Sequence, residues 1–200
     1  MSGLEIAVAT YVAYLFGSLS TAIIVCKIMG LPDPRTLGSQ NPGATNVLRI
    51  GGKKAAIITL LGDMLKGAIP VFIAMQYGFS PLVLTLIAFA AFLGHLFPIF
   101  FRFEGGKGVA TALGGLLVLC WPAGLFLVGL WIVIASLFKY SSLASLCLAI
   151  MAPVAIGFFT ENIHQVSIIA IMSLFLVFTH RRNIANLIQG NERKLFTKDR

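Results

Sequence analysis

The sequence is short of charge, and shortest of acid: seven Asp and Glu stand against fifteen Lys and Arg in 200 residues. Charged residues make up only 11% of the chain and hydrophobic ones 58%, with a mean hydropathy of +0.94. That balance excludes a water-soluble domain and indicates an integral membrane protein. It also makes nucleic acid an unsuitable partner, so the net charge of +8 reads first as basic residues on one side of a membrane. Asp33, Asp63 and Asp199 are scattered, so neither a metal-holding acidic cluster nor any cofactor is expected. Cys26, Cys120 and Cys147 fall in apolar tracts without metal-like spacing and read as packing residues. No serine sits in a nucleophile elbow and no Cys–His context occurs, which argues against a covalent nucleophile. Residues 1–5 lack a basic lead-in, and the apolar run after them is longer than a signal-peptide core. It is expected to stay on the protein as a first span. No internal repeat is evident.

What is abundant is apolar tract. The expected fold class is all-α: one polytopic membrane helix bundle of about seven transmembrane helices, one of them short or re-entrant. The spans fall at about 6–26, 55–77, 82–101, 109–120, 122–138, 141–160 and 165–179, each full-length one able to cross about 30 Å of hydrocarbon. Residues 108–138 are uncharged and interrupted by Trp121-Pro122. Reading them as two segments puts every Lys and Arg except Lys66 on one side, which the positive-inside rule favours. The first of the two, 109–120, would be about 18 Å long as a helix and too short to cross comfortably. The polar loops 27–54 and 102–108 and the tail 180–200 then share the cytoplasmic face of the membrane, with the N-terminus outside. The start of the tail, through Ile184, Leu187 and Ile188, has the spacing of an amphipathic interfacial helix.

Those three polar segments hold nearly every group able to bind an anion or move a proton. In residues 102–111, Gly105, Gly106 and Gly108 surround Lys107 ahead of a helix-compatible run. Glycines that turn backbone amides toward a ligand at a helix start are how a chain makes a phosphate site; the alternative is a plain interfacial turn. The spacing is not that of a Walker A loop. Within the second span, Asp63 and Lys66 stand three residues apart on one face, as a structural ion pair or as part of a site. His95, near the end of the third span, is either a satisfied hydrogen-bonder or a site residue.

The first segment reads Gly38-Ser39-x-Asn41-x-Gly43-Ala44-x-Asn46-x-x-Arg49, the second Gly105-Gly106-Lys107-Gly108-Val109-Ala110-Thr111, the third His180-x-x-Asn183-Ile184 with Gly190, Glu192 and Lys194. In that order and at those membrane positions the three resemble the motifs of the bacterial acyl-phosphate:glycerol-3-phosphate acyltransferases, the PlsY family. The likeness extends to Asp63-x-x-Lys66-Gly67 and Gly94-His95-x-Phe97-Pro98. It implies an enzyme that moves a fatty acyl group from acyl phosphate to the 1-hydroxyl of glycerol 3-phosphate, giving lysophosphatidic acid and phosphate. Ser39, Arg49, Lys107, His180 and Asn183 are the implied catalytic residues. Gly38, Asn41, Gly43 and Asn46, with Gly105, Gly106, Gly108 and Thr111, are the implied phosphate and substrate contacts, joined by Glu192 and Lys194 from the tail. Glu104 departs from the family's pattern and places a negative charge beside an anion site.

In that scheme the glycine amides and Lys107 hold one phosphate, and Ser39, Asn46 and Arg49 the other. Which loop takes which substrate stays open. His180 and Asn183 orient the attacking hydroxyl, whose proton goes to His180 or to a substrate phosphate. Glu192 positions Lys194 or Arg49. The partners expected are acyl phosphate, glycerol 3-phosphate and membrane lipid; a monomer would suffice. A small-anion or phosphate-ester transporter is the alternative, since a half-helix aimed at an anion would serve one too. The polar groups cluster at one face instead of the midplane, which disfavours it. None of His95, His164 and His180 is followed by Asp in a His-x4-Asp pattern, so the soluble-donor acyltransferases do not fit.

Overall fold

The computed structural model describes residues 2–195; the last five residues of the expected tail lie outside the described part. Every regular element in it is helical: α1 (Gly3–Gly17), α2 (Thr21–Ile28), α3 (Ala44–Gln76), α4 (Pro81–Leu96), α5 (Val109–Leu119), α6 (Trp121–Phe138), α7 (Ser141–Thr160), α8 (Ile163–Thr179) and α9 (Arg181–Ile188), with one 3-10 turn at Ile99–Phe101. Five spans are long and apolar enough to cross a membrane: Gly3–Ile28, α3, Pro81–Phe101, α6 and α7. A sixth arises if α8 is counted with α9, into which it bends by 58°. The short segment expected before Trp121 is α5, at 11 residues about 16 Å long. Leu61, Phe72, Ile150 and Phe158 point outward, more than half exposed, as faces turned to lipid require.

Local chemistry sets the ends. Ser2 and Glu5 close a capping box on α1, Ser2 N donating to Glu5 Oε2 at 2.8 Å and Glu5 N to Ser2 Oγ at 3.3 Å. Pro81 and Pro122 open α4 and α6 in the first turn, where a missing N–H costs nothing. The Asn162 side chain caps α8 by accepting from the amides of His164 and Gln165.

Two expectations need correction. The first span is not continuous but breaks at residues 18–20, where the Ser18 hydroxyl donates to Tyr14 O at 2.8 Å and Lys66 Nζ donates to Leu19 O at 3.0 Å. The first polar segment is not loop to residue 54, because α3 begins at Ala44 and buries Asn46 and Val47. Val47 packs with Val25 and Cys26 of α2, which holds this early turn helical, and Gly52 at φ +77° separates it from the span proper. The third span runs to Phe101 as expected, as α-helix up to Leu96 and a 3-10 turn after Pro98, where the Tyr14 hydroxyl donates to Phe97 O at 2.7 Å.

Small residues let the central helices touch backbone to backbone. A Cβ on Gly67 would collide with Thr111 O, and one on Gly114 with Met64 O, so α3 and α5 cross at van der Waals range of their main chains. The short α5 is thereby wedged between α3, α4 and α6. Its first turn is thus held at the cavity.

Candidate active site

The first polar segment is folded around Asn46, only 1% exposed. Its Oδ1 accepts from Ser39 N at 2.9 Å, and its Nδ2 donates to Pro34 O at 2.8 Å and Leu37 O at 3.0 Å. With both donors and one lone pair of Oδ1 used inside the loop, Asn46 is a staple for residues 34–46 that also lines the cavity. It presents Ser39, Asn41 and Gly43 to the cavity wall, whereas Gly38 at φ +64° makes the turn and lies off it. Arg35 pairs with Asp33 at 2.7 Å and with Glu104 Oε2 at 2.9 Å. That hydrogen-bonded guanidinium holds the Asp33 carboxyl below its ordinary pKa. The pairing also settles Glu104: its side chain is 63% exposed and spent on Arg35, and it does not line the cavity.

The glycine loop lies across the end of α4. Gly106 N donates to His95 O at 3.1 Å, a Cβ on Gly105 would run into the carbonyls of His95 and Leu96, and one on Gly106 into the His95 ring. Gly108 at φ +86° packs on Phe92 and starts α5. The expected cradle of three free amides is therefore not what forms. Gly106 has given its N–H to His95, Gly105 and Gly106 lie off the cavity, and Gly108 alone of the three faces it. Thr111 is fully buried, off the cavity, with Oγ1 3.2 Å from His95 Nδ1. What the loop does present is Lys107, whose Nζ donates to Asn183 Oδ1.

The third segment supplies the opposite wall. His180, 3% exposed, caps the end of α8. Its Nδ1 is 2.7 Å from Leu176 O, so the hydrogen is on Nδ1 and Nε2 keeps a lone pair. Asn183 Nδ2 donates to Glu192 Oε1 at 2.7 Å, and Ser142 Oγ donates to the same oxygen at 2.6 Å. Glu192 thus fixes the amide of Asn183 so that its oxygen meets Lys107. This differs from the expected pairing of Glu192 with Lys194 or Arg49. Arg49 instead reaches the chain of the tail, Nη2 donating to Arg193 O at 3.3 Å and Lys194 O at 3.4 Å. Leu195 N donates to Lys139 O at 2.7 Å, which completes a strap over this end of the bundle, and Lys194 lies off the cavity.

Burial sets the charges. It lowers Lys107 to about 8, with nearby Arg49 adding to the fall and Glu192 opposing it. Burial, then the charge of Lys107, lowers His180 to about 4, opposed by Leu176 O and Glu192. At neutral pH Lys107 is the cation and His180 a neutral imidazole.

These groups surround one cavity of about 270 Å³. Its lining combines polar groups, Ser39, Arg49, Lys107, His180, Asn183 and Glu192, with apolar ones, Leu60, Met64, Leu113, Val128, Trp131 and Ile132. Asp63 and His95 lie on its wall, paired as Asp63–Lys66 at 2.9 Å and Asp63–His95 at 3.7 Å. Sequence reasoning missed Ser142, which shares Glu192, and Trp131, whose Nε1 donates to Ser145 Oγ at 3.1 Å. The signal for the first was a Ser-Ser pair opening a span directly after Lys139-Tyr140. Among the described residues no three His, Cys, Asp or Glu side chains are grouped to hold a metal ion.

A membrane-embedded helix bundle whose one cavity has both cationic and apolar walls is suited to an enzyme that joins a charged group to a lipid chain. Comparison with known proteins narrows this. The sequence model described as glycerol-3-phosphate acyltransferase matches residues 7–190. The glycerol-3-phosphate acyltransferase of Methylococcus capsulatus is 53% identical over 186 residues, 93% of this chain and 94% of that one. That of Hydrogenovibrio crunogenus is 54% identical over 181 residues, 90% of this chain and 87% of its own. The crystal structure of PlsY (YgiH), an integral membrane glycerol 3-phosphate acyltransferase, in its glycerol 3-phosphate form superposes with a TM-score of 0.90 at 36% identity, covering 95% of both chains. Its lysophosphatidic acid form gives 0.88. The chain belongs to the glycerol-3-phosphate acyltransferase family, and the transporter alternative falls away.

Proposed function

We propose that the protein transfers a fatty acyl group from acyl phosphate to the 1-hydroxyl of glycerol 3-phosphate, yielding lysophosphatidic acid and inorganic phosphate, the first step of phospholipid synthesis. One observation carries this: cationic and apolar walls share one cavity, so a phosphate and an acyl chain on the same molecule can be held at once. The relatives' names and the two ligands in the PlsY crystal structures support the acceptor and the product. The bacterial relatives support placement in a bacterial inner membrane, and the charge bias of the loops supports the N-terminus outside and the cavity on the cytoplasmic side.

Acyl phosphate is already activated, and the side chains are suited to holding and polarising it. Lys107, positioned by Asn183, neutralises charge gathering on the reacting phosphate or oxyanion, while Arg49 and Ser39 hold the second phosphate. The glycerol oxygen attacks the acyl carbonyl carbon, a new C–O bond forms, and the bond from that carbon to the phosphate oxygen breaks with its electron pair leaving on phosphate. The hydroxyl proton goes to a phosphate oxygen. A phosphate with a second pKa near ~6 is the better base than an imidazole held at about 4. His180 then serves as acceptor and orienter through Nε2.

The test is lysophosphatidate formation and phosphate release by purified protein given palmitoyl phosphate and glycerol 3-phosphate, beside palmitoyl-CoA as rival donor. Product from acyl phosphate alone, lost in Lys107→Ala, is expected. Product from palmitoyl-CoA alone would overturn the donor assignment, and no product from folded protein with either donor would overturn the reaction.

A further inference from the structure

A carboxylate, an ammonium and an imidazole lie together in the middle of the bundle. Asp63 and Lys66, on one face of α3, are 3% and 4% exposed and pair at 2.9 Å; His95 of α4 is 6% exposed. Lys66 also donates to Leu19 O in the break between α1 and α2. Desolvation largely offsets the attraction within a buried pair, so stability is a poor account of this one.

What the cluster grips is the glycine loop, from both sides. The His95 carbonyl accepts the Gly106 N–H at 3.1 Å, and the His95 ring occupies the space a Cβ on Gly106 would need. On the other side of Lys107, Thr111 in the first turn of α5 meets the same ring, Oγ1 to Nδ1 at 3.2 Å. Asp63 Oδ1 faces that nitrogen at 3.7 Å and favours the tautomer with its hydrogen on Nδ1, which Thr111 Oγ1 then accepts.

We propose that Asp63, His95 and Thr111 form a buried clamp that fixes the 105–108 loop and so sets where Lys107 Nζ stands in the cavity. They are positioning residues acting through Lys107, and Thr111 passes from the substrate contact implied by its motif to a member of the clamp. The proposal rests on the function given above, in which Lys107 holds the reacting group. Lys66 is the counter-charge of the Asp63 carboxylate, 2.9 Å from it.

The experiment is steady-state kinetics of the purified full chain with palmitoyl phosphate and glycerol 3-phosphate, with Tm and hydrogen exchange at the 104–110 amides measured on the same samples. Thr111→Val removes the hydroxyl at constant shape; a small displacement of a reacting group is costly, so kcat should fall about fivefold or more with Tm within about 2 °C. KM for glycerol 3-phosphate should stay within about twofold, and the Gly106 amide should exchange faster. Thr111→Ser should keep wild-type turnover. Asp63→Asn combined with Lys66→Met strands neither charge, so it should fold and still lose about tenfold in kcat. The clamp is overturned by wild-type turnover in Thr111→Val or in the double variant. Equal losses in Thr111→Val and Thr111→Ser, or a loss that tracks loss of folded protein, also overturn it. Hydrogen exchange needs no turnover, so an inactive wild-type protein would count against the reaction while the clamp is still judged by exchange.

Discussion

Among the described residues two cations, Lys107 and Arg49, face the cavity, and they are held by unlike means. Lys107 stands on a loop pressed against α4 by a backbone hydrogen bond and by glycines with no room for a side chain. Arg49 stands on the early turn of α3 and is held by carbonyls of the C-terminal strap. One half of the site is therefore built with the core of the bundle, and the other is assembled when the chain's end folds back over it. Precision in the first half comes from packing, in the second from hydrogen bonds at a more exposed edge.

The largest effect should come from removing the core-mounted charge. Lys107→Ala is expected to lower kcat/KM by about 10³, the scale of losing one preorganised donor to developing charge, and Arg49→Ala by about 10² mainly through KM. Equal losses of the same kinetic kind would erase the distinction. Next, Gly108→Ala should destabilise the protein by about 2–4 kcal/mol, since it combines positive φ with a clash on the Phe92 ring. Gly43→Ala would meet only the movable Asn41 side chain and should cost under about 1 kcal/mol; thermal melts in detergent compare the two. Glu192→Ala, which frees both Asn183 and Ser142, should lower kcat about 10–30-fold with little change in Tm.

A pH profile sharpens the comparison further. The group with a depressed value is charged below it and loses its charge as pH rises, so kcat/KM should fall above pH about 8 as Lys107 deprotonates. Lys107→Arg should move that fall out of the range, and an unchanged profile in this variant would show that Lys107 does not set it. The smallest effect is expected for Glu104→Gln at the outer rim, a change of under about 0.5 kcal/mol in stability with turnover unaltered.

Helices and the choice between one segment and two across 108–138 were legible because apolar length and Pro signals are local. The break at residues 18–20 was not, since the Leu19 carbonyl is satisfied by Lys66 from 47 residues away. Glycine content at 105–108 was visible, but its purpose was misjudged. The same residue type that opens a backbone to a ligand also lets one backbone lie on another, and only the partner, here His95, decides. The loop-stapling part of Asn46 was hidden for a related reason, as an amide can serve a substrate or its own loop equally well. Ser142 had no motif of its own, and its part depends on Glu192 arriving from 50 residues on.

The strap has a consequence for how the protein is made. Glu192 and the carbonyls that hold Arg49 come near the end of 200 residues, while the glycine loop and α5 lie near its middle. During synthesis the helices can enter the bilayer and pack with Lys107 already in place, yet the cavity stays unfinished until residue 192 has left the ribosome. A chain still short of residue 192 thus has its packed half in place before the carboxylate that holds Asn183 and Ser142 arrives.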